Sequence, residues 1–112
     1  MERGELYWVD FGIPTGSEPG CKRPAIIIQS DTFNQTRIKT VICAILTSNL
    51  NLAEAPGNIY IEKEVSNLAK DSVLNISQIY TVDKDSVSEF VIKLPAGYIS
   101  KIDQGIRLVL DV

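Results

Sequence analysis

The hydrophobic pattern of this chain of 112 residues changes period once, at Pro95. Before that point apolar residues come in short runs or alternate with polar ones. Leu6, Trp8 and Asp10 lie on one side of a strand-like repeat from Glu5 to Phe11, and Tyr7, Val9 and Phe11 lie on the other. After Pro95, Ile99, Ile102, Ile106, Val109 and Leu110 share one face of a helix. Further strands are predicted at Pro24–Gln29, Lys39–Leu46 and Ile59–Ile61, within Val73–Val82, and along Phe90 to Leu94. Polar or Gly/Pro-bearing connections separate them, with a turn or single helical turn at Ser30–Asn34 that Ser30 or Asp31 can cap. Short strands, long loops and one terminal helix predict a small, mostly antiparallel β-barrel.

The length fits one domain, residues 1–112. Composition is ordinary for a globular chain, and a domain of this size holds a core without disulfides. The two cysteines lack disulfide-framework spacing: Cys43 sits in an apolar run and reads as a small buried thiol, whereas Cys21 sits in a loop. There is no histidine, and neither cysteine has a neighbour at metal-ligand spacing, so neither a metal site nor a cofactor is expected. No stretch approaches the roughly eighteen apolar residues that would span a bilayer. No N-terminal segment has the pattern of a secretion signal, and a cytoplasmic location is expected. The formal charge is −3, which argues mildly against a general nucleic-acid binder but permits a local cationic groove.

The segment from Gly12 to Asn34 is the most suggestive. Its first half is a loop by composition, with Pro14, Gly16, Pro19 and Gly20 around Ser17 and Glu18. Its second half becomes apolar from Ala25 to Ile28, and Lys22 and Arg23 stand at the junction. On composition alone these are two solvated charges ending a surface connection. Without histidine the commonest general base is missing, the serines have no visible base partner, and no phosphate-binding glycine motif occurs. What remains is Arg23 at one strand start and Thr47 at another strand end.

The order Arg3-Gly4-Glu5, Asp10, Gly16-Ser17-Glu18, Gly20, Arg23-Pro24 and Asp31 to Asn34 resembles the MazF/PemK family of toxin endoribonucleases. The similarity continues through Ala44-Ile45-Leu46-Thr47, Asp71-Ser72-Val73 and Gln78-Ile79 with Thr81, Val82 and Asp83. The ordered series is specific, although no short piece of it is. The resemblance implies an SH3-like barrel with a C-terminal helix, a homodimer, a cognate MazE-like antitoxin and metal-independent cleavage of single-stranded RNA. It also implies that Arg23 and Thr47 are catalytic. Ser17 and Glu18 match the family's first loop and would shape the RNA groove, Glu18 through base edges or loop structure because its charge repels phosphate. Lys22, Ser48 and Gln78 are further candidate RNA contacts, with turn or strand-face roles open for Ser48 and Gln78. Asp31 and Asn34 read as structural turn residues, and Trp8 as core, with base stacking the alternative. Two other functions stay open at this point: a CcdB-like toxin that traps gyrase, and a non-catalytic RNA- or protein-binding barrel.

Overall fold

The computed structural model describes residues 1–12 and 21–112. Six strands, β1 Glu5–Asp10, β2 Lys22–Ile27, β3 Thr40–Thr47, β4 Ile59–Ile61, β5 Ser72–Asp83 and β6 Val87–Lys93, form one sheet. Their order across it is β4-β5-β3-β2-β1-β6, and the ladders are antiparallel. Helices α1 Asp31–Asn34, α2 Lys63–Ser66 and α3 Ala96–Leu110, with short 3-10 helices at Leu50–Glu54 and Lys84–Ser86, complete the regular structure of the described residues. Phe11, just after β1, and Tyr80 in β5 stack edge to face at 5.6 Å, although β2 and β3 lie between their strands. The sheet is therefore curled into a half-barrel, as the mainly β reading with a C-terminal helix requires.

The curl follows from a bulge. Ala44 pairs with Ile79 and Ile45 with Asn75, so Ile76 to Gln78 are extra residues on β5. A bulge bends its strand and raises the local twist. The freed backbone is not orphaned, because Ile76 N–H donates to Asn58 Oδ1 at 3.0 Å. Asn58 in turn donates to the Leu52 carbonyl at 2.9 Å and ties the loop before β4 to the bend.

Both faces of the sheet are apolar. One carries Leu6, Ile26, Ala44, Leu46, Leu74 and Ile76, and Ile102 of α3 packs into it. The other carries Val9, Ala25, Ile27, Val41 and Cys43 under a partial cover of Tyr7, Phe11 and Tyr80. Four consecutive apolar residues in β2 thus serve two clusters, which explains why Ala25 to Ile28 show no alternation. Ile76 is in the core, whereas Ile79 and Tyr80 are half-buried at its margin.

The terminal helix is shallower than its pattern predicts. Only Ile102 and Gly105 are buried in it, and Val109 and Leu110 stay exposed. Towards its C-terminal end, Ile106 and Leu110 edge an apolar groove with Ile28, Phe33, Ile38 and Ile42. Gly105, a weak helix former, has a reason: a Cβ there would lie 2.4 Å from the Gly57 carbonyl oxygen. The helix can approach the loop before β4 only where it has no side chain.

Arg3 closes the structure at the opposite side. Its Nε donates to the Ile28 carbonyl at 2.9 Å and its guanidinium pairs with Asp103 of α3 at 2.7 Å. Its backbone N–H donates to Asp31 Oδ1 at 2.8 Å, and Asn34 donates to the same oxygen at 3.0 Å. Asp31 and Asn34 are thus the structural residues the sequence suggests, and Ser30 supplies the cap by accepting from Thr32 N–H. No helix is long and apolar enough to cross a membrane, among the described residues.

Candidate active site

β2 begins at Lys22, two residues earlier than its apolar run predicts. Lys22 and Arg23 pair with Asp10 and Val9 of β1, so both cations ride on a strand rather than ahead of it. Pro24 is tolerated because the ladder to β3 begins only at Ala25. Extending the register Ala25↔Ile45 by two residues sets Arg23 opposite Thr47. The convergence of these two residues is therefore a consequence of antiparallel pairing: the start of one strand faces the end of its neighbour.

They line one cleft of about 310 Å³. Its floor is formed by Trp8, Pro24 and Leu46, one cross-strand row over three adjacent strands, and by Ser72 of β5, two residues along from Leu74, the β5 partner of Leu46. Its far wall is the connection after α2, from Leu68 to Asp71, and Ser48 completes the rim beside Thr47. Lys22, Arg23 and Lys70 set three positive charges against the single carboxylate of Asp71 among the described lining residues. Among the described residues, the rim of this cleft is cationic in a chain that is acidic overall.

Two polar groups of the rim are held by the fold. Thr47 Oγ1 accepts from Asn49 N–H at 3.1 Å, the local turn expected of a strand-end threonine. That bond uses a lone pair and leaves the hydroxyl hydrogen available as a donor. Asp71 accepts from the Tyr60 hydroxyl at 2.5 Å and from Lys63 N–H at 2.8 Å. The Tyr60 hydroxyl first, and then the Lys63 N–H, hold the Asp71 carboxyl below its ordinary range, so it is anionic at neutral pH. The same bond pushes the Tyr60 phenol up.

The cleft brings together Arg23, Thr47, Lys22 and Ser48. Gln78 is not among its lining residues; it lies in the bulge of β5, half-buried. Ser17 and Glu18 lie outside the described residues. Trp8 is not core: it pairs with Pro24, is half-buried, and lines the floor of the cleft. Sequence reasoning missed Leu68, Ala69, Lys70, Asp71 and Ser72, because a polar connection gives no sign of the strand end it will pack beside. The available signal was Asp71-Ser72-Val73, one of the motifs that carry the resemblance, to which no site role was given.

Comparison with known proteins identifies the family and agrees with the fold. The family model described as the PemK-like, MazF-like toxin of type II toxin-antitoxin systems matches residues 2–110. The chain is 42% identical over 112 residues to endoribonuclease MazF2 of Mycobacterium bovis, covering all of this chain and 98% of that one. Endoribonuclease MazF6 of Mycobacterium tuberculosis is similar to the same degree and extent. Among solved structures, MazF of Deinococcus radiodurans superposes with a TM-score of 0.81 at 18% identity, over all of this chain and 97% of that one. A mycobacterial endoribonuclease in complex with its cognate antitoxin also gives 0.81 at 18% identity, with coverage of 100% and 96%. At such identities the structures speak for the fold, while the family model and the 42% relatives span nearly the whole sequence. The chain therefore belongs to the PemK-like, MazF-like toxins of type II toxin–antitoxin systems.

Proposed function

We propose that this MazF-family endoribonuclease cuts single-stranded RNA at the Arg23–Thr47 cleft without a metal ion, using the substrate's own 2′-hydroxyl. The observation that carries the reading is the placement of a guanidinium and a threonine hydroxyl on opposed strand ends, in one cleft with a cationic rim. The 2′-oxygen attacks the adjacent phosphorus and gives up its proton, the bond from phosphorus to the 5′-oxygen breaks, and that oxygen takes a proton. The products are a 2′,3′-cyclic phosphate and a 5′-hydroxyl. The protein need supply no nucleophile, which suits a chain without histidine.

Charge builds on the phosphorane oxygens in the transition state. Arg23 offers them two parallel charge-assisted hydrogen bonds, and Thr47 donates a third. Arginine stays protonated at working pH, so Arg23 stabilises charge and does not act as a base. Lys22 and Ser48 at the rim hold flanking parts of the RNA. Ser17 and Glu18 keep the groove-shaping role that the family resemblance implies, and Gln78 stays a candidate RNA contact with a strand-face structural role as the alternative.

The test uses single-turnover cleavage in EDTA with saturating enzyme. Arg23→Lys should lose about 3 kcal/mol of transition-state stabilisation, roughly a hundredfold in rate, because lysine lacks the fork. Thr47→Ser should keep much of the rate and Thr47→Val should not. Wild-type rates in both Arg23→Lys and Thr47→Val would remove these residues from the reaction.

A cytoplasmic homodimer neutralised by an acidic antitoxin completes the proposal. Exposed Phe33, Ile38, Leu108 and Leu110 are apolar surface that a second copy would cover. Solved neighbours are described as MazE–MazF complexes, and a groove that attracts phosphate also attracts carboxylates. Sedimentation should show twice the chain mass, and antitoxin should compete with RNA for the cleft rather than form a ternary complex.

A further inference from the structure

Ser72 is unexplained by folding. It is 4% exposed, and its Oγ has no hydrogen-bond partner among the described residues. Native structures rarely leave a buried hydroxyl unpaired, and each exception asks for a reason. Its polar neighbours are already engaged, Thr47 Oγ1 with Asn49 N–H and Asp71 with Tyr60 and Lys63. Ser72 is the one side-chain polar atom in the described residues that is both sealed from solvent and without a partner.

Its place gives the reason. Ser72 lines the cleft floor with Trp8, Pro24 and Leu46, and Leu68 stands beside it. The cleft is therefore two-natured. Its rim, with Lys22, Arg23 and Lys70, suits phosphate. Its floor is apolar and ends in a single hydroxyl, which suits a flat aromatic group with a polar edge. The apolar surface of Trp8, Pro24 and Leu46, with Ser72 beside it, would repel a hydrated phosphate and accommodate an unstacked ring.

We propose that the floor is a nucleobase pocket for a base flanking the scissile phosphate, and that Ser72 Oγ hydrogen-bonds the edge of that base. The inference rests on the RNA-cleavage reading above. Trp8 supplies the wall against which the ring lies. Serine turns about a single side-chain bond, so its oxygen reorients toward an entering base at little cost. The hydroxyl both donates and accepts, and it serves a base edge of either kind. Its partner arrives with the substrate, which is why the free protein shows none.

Trp8 is the chain's one tryptophan, so its fluorescence reports the pocket directly. The cut site is mapped with wild-type protein on a long RNA in EDTA; failure to cut at that stage refutes the nuclease reading and not the pocket alone. Short RNAs with a 2′-deoxy residue at the mapped site, which cannot be cleaved, are then titrated with all bases present or with one flanking base removed as an abasic residue. Quenching of Trp8 should need the base at one flanking position. Ser72→Ala should weaken binding of the intact RNA roughly three- to tenfold and leave binding of the abasic RNA unchanged. Its melting temperature should be at or above that of wild type, since an unpaired hydroxyl has been removed. Equal affinities of Ser72→Ala and wild type for the intact RNA would overturn the proposal, as would an equal loss on both RNAs. Ser72→Cys, close in volume with a weak donor, should fall between wild type and Ser72→Ala.

Discussion

Gly105→Ala sets two opposed effects against each other in one helix. Alanine is favoured over glycine in a helix interior by about 1 kcal/mol, so propensity alone makes the substitution stabilising. The added Cβ would lie 2.4 Å from the Gly57 carbonyl oxygen and 3.3 Å from its carbon. Ordinary contact begins at 3.4 Å, so the two backbones must separate by about 1 Å. Neither side has a flexible side chain to absorb that shift. Forcing a carbon into a packed site costs about 1–3 kcal/mol, and a backbone-on-backbone clash belongs at the upper end. The net expectation is a loss of about 2 kcal/mol. At roughly 4–8 °C per kcal/mol for a small domain, the melting temperature should fall by about 8 °C or more at matched protein concentration. In urea the midpoint should drop with the slope unchanged. Gly97→Ala is the internal control: it lies in the first turn of the same helix with nothing within 4 Å of the new Cβ, and it should stabilise by a few tenths of a kcal/mol up to about 1. A Gly105→Ala protein that melts at or above wild type would refute the close-approach argument, and equal effects at both glycines would do the same.

Other expectations follow from burial and charge. Leu74→Ala empties a fully buried position in the larger cluster and should cost about 2–5 kcal/mol in denaturant titrations. A thiol reagent at neutral pH should label one cysteine, the exposed Cys21, in native protein and two after unfolding. Burial pushes the Cys43 thiol from 9.0 up to about 11, so the stability owed to its neutral form is complete below pH 9 and is lost as the pH rises towards 11. The stability gap between wild type and Cys43→Ala should narrow across that window. Asp31 is held below its ordinary 3.8, first by Arg3 N–H and then by the Asn34 amide, so its contribution is present above pH 3.8 and lost as the pH falls through the lowered native value. Asp31→Asn should flatten the acid limb of the stability curve, and an unchanged limb would remove Asp31 from the acid transition.

The sequence by itself determined what depends on near neighbours. Strand and helix periods, the Ser30 cap and the burial of Cys43 are local matters, and each was legible. Arg23 and Thr47 came forward as candidates through the ordered motifs of a family and not through periodicity. Where those residues meet was decided by the register of β2 on β3, a contact between segments some twenty residues apart. Tertiary structure also decided the fate of Trp8. Its alternation with Leu6 predicts the same buried face, and it does point that way, but it stands where the sheet runs out and the cleft opens. The terminal helix shows the same effect in reverse: Val109 and Leu110 keep the apolar period, yet the fold leaves both exposed. Periodicity says which side a residue faces and nothing about whether something lies opposite. The wall that Leu68 to Lys70 make was invisible for that reason, and the unpaired hydroxyl of Ser72 could be found only by asking which polar atoms lack a partner among the described residues.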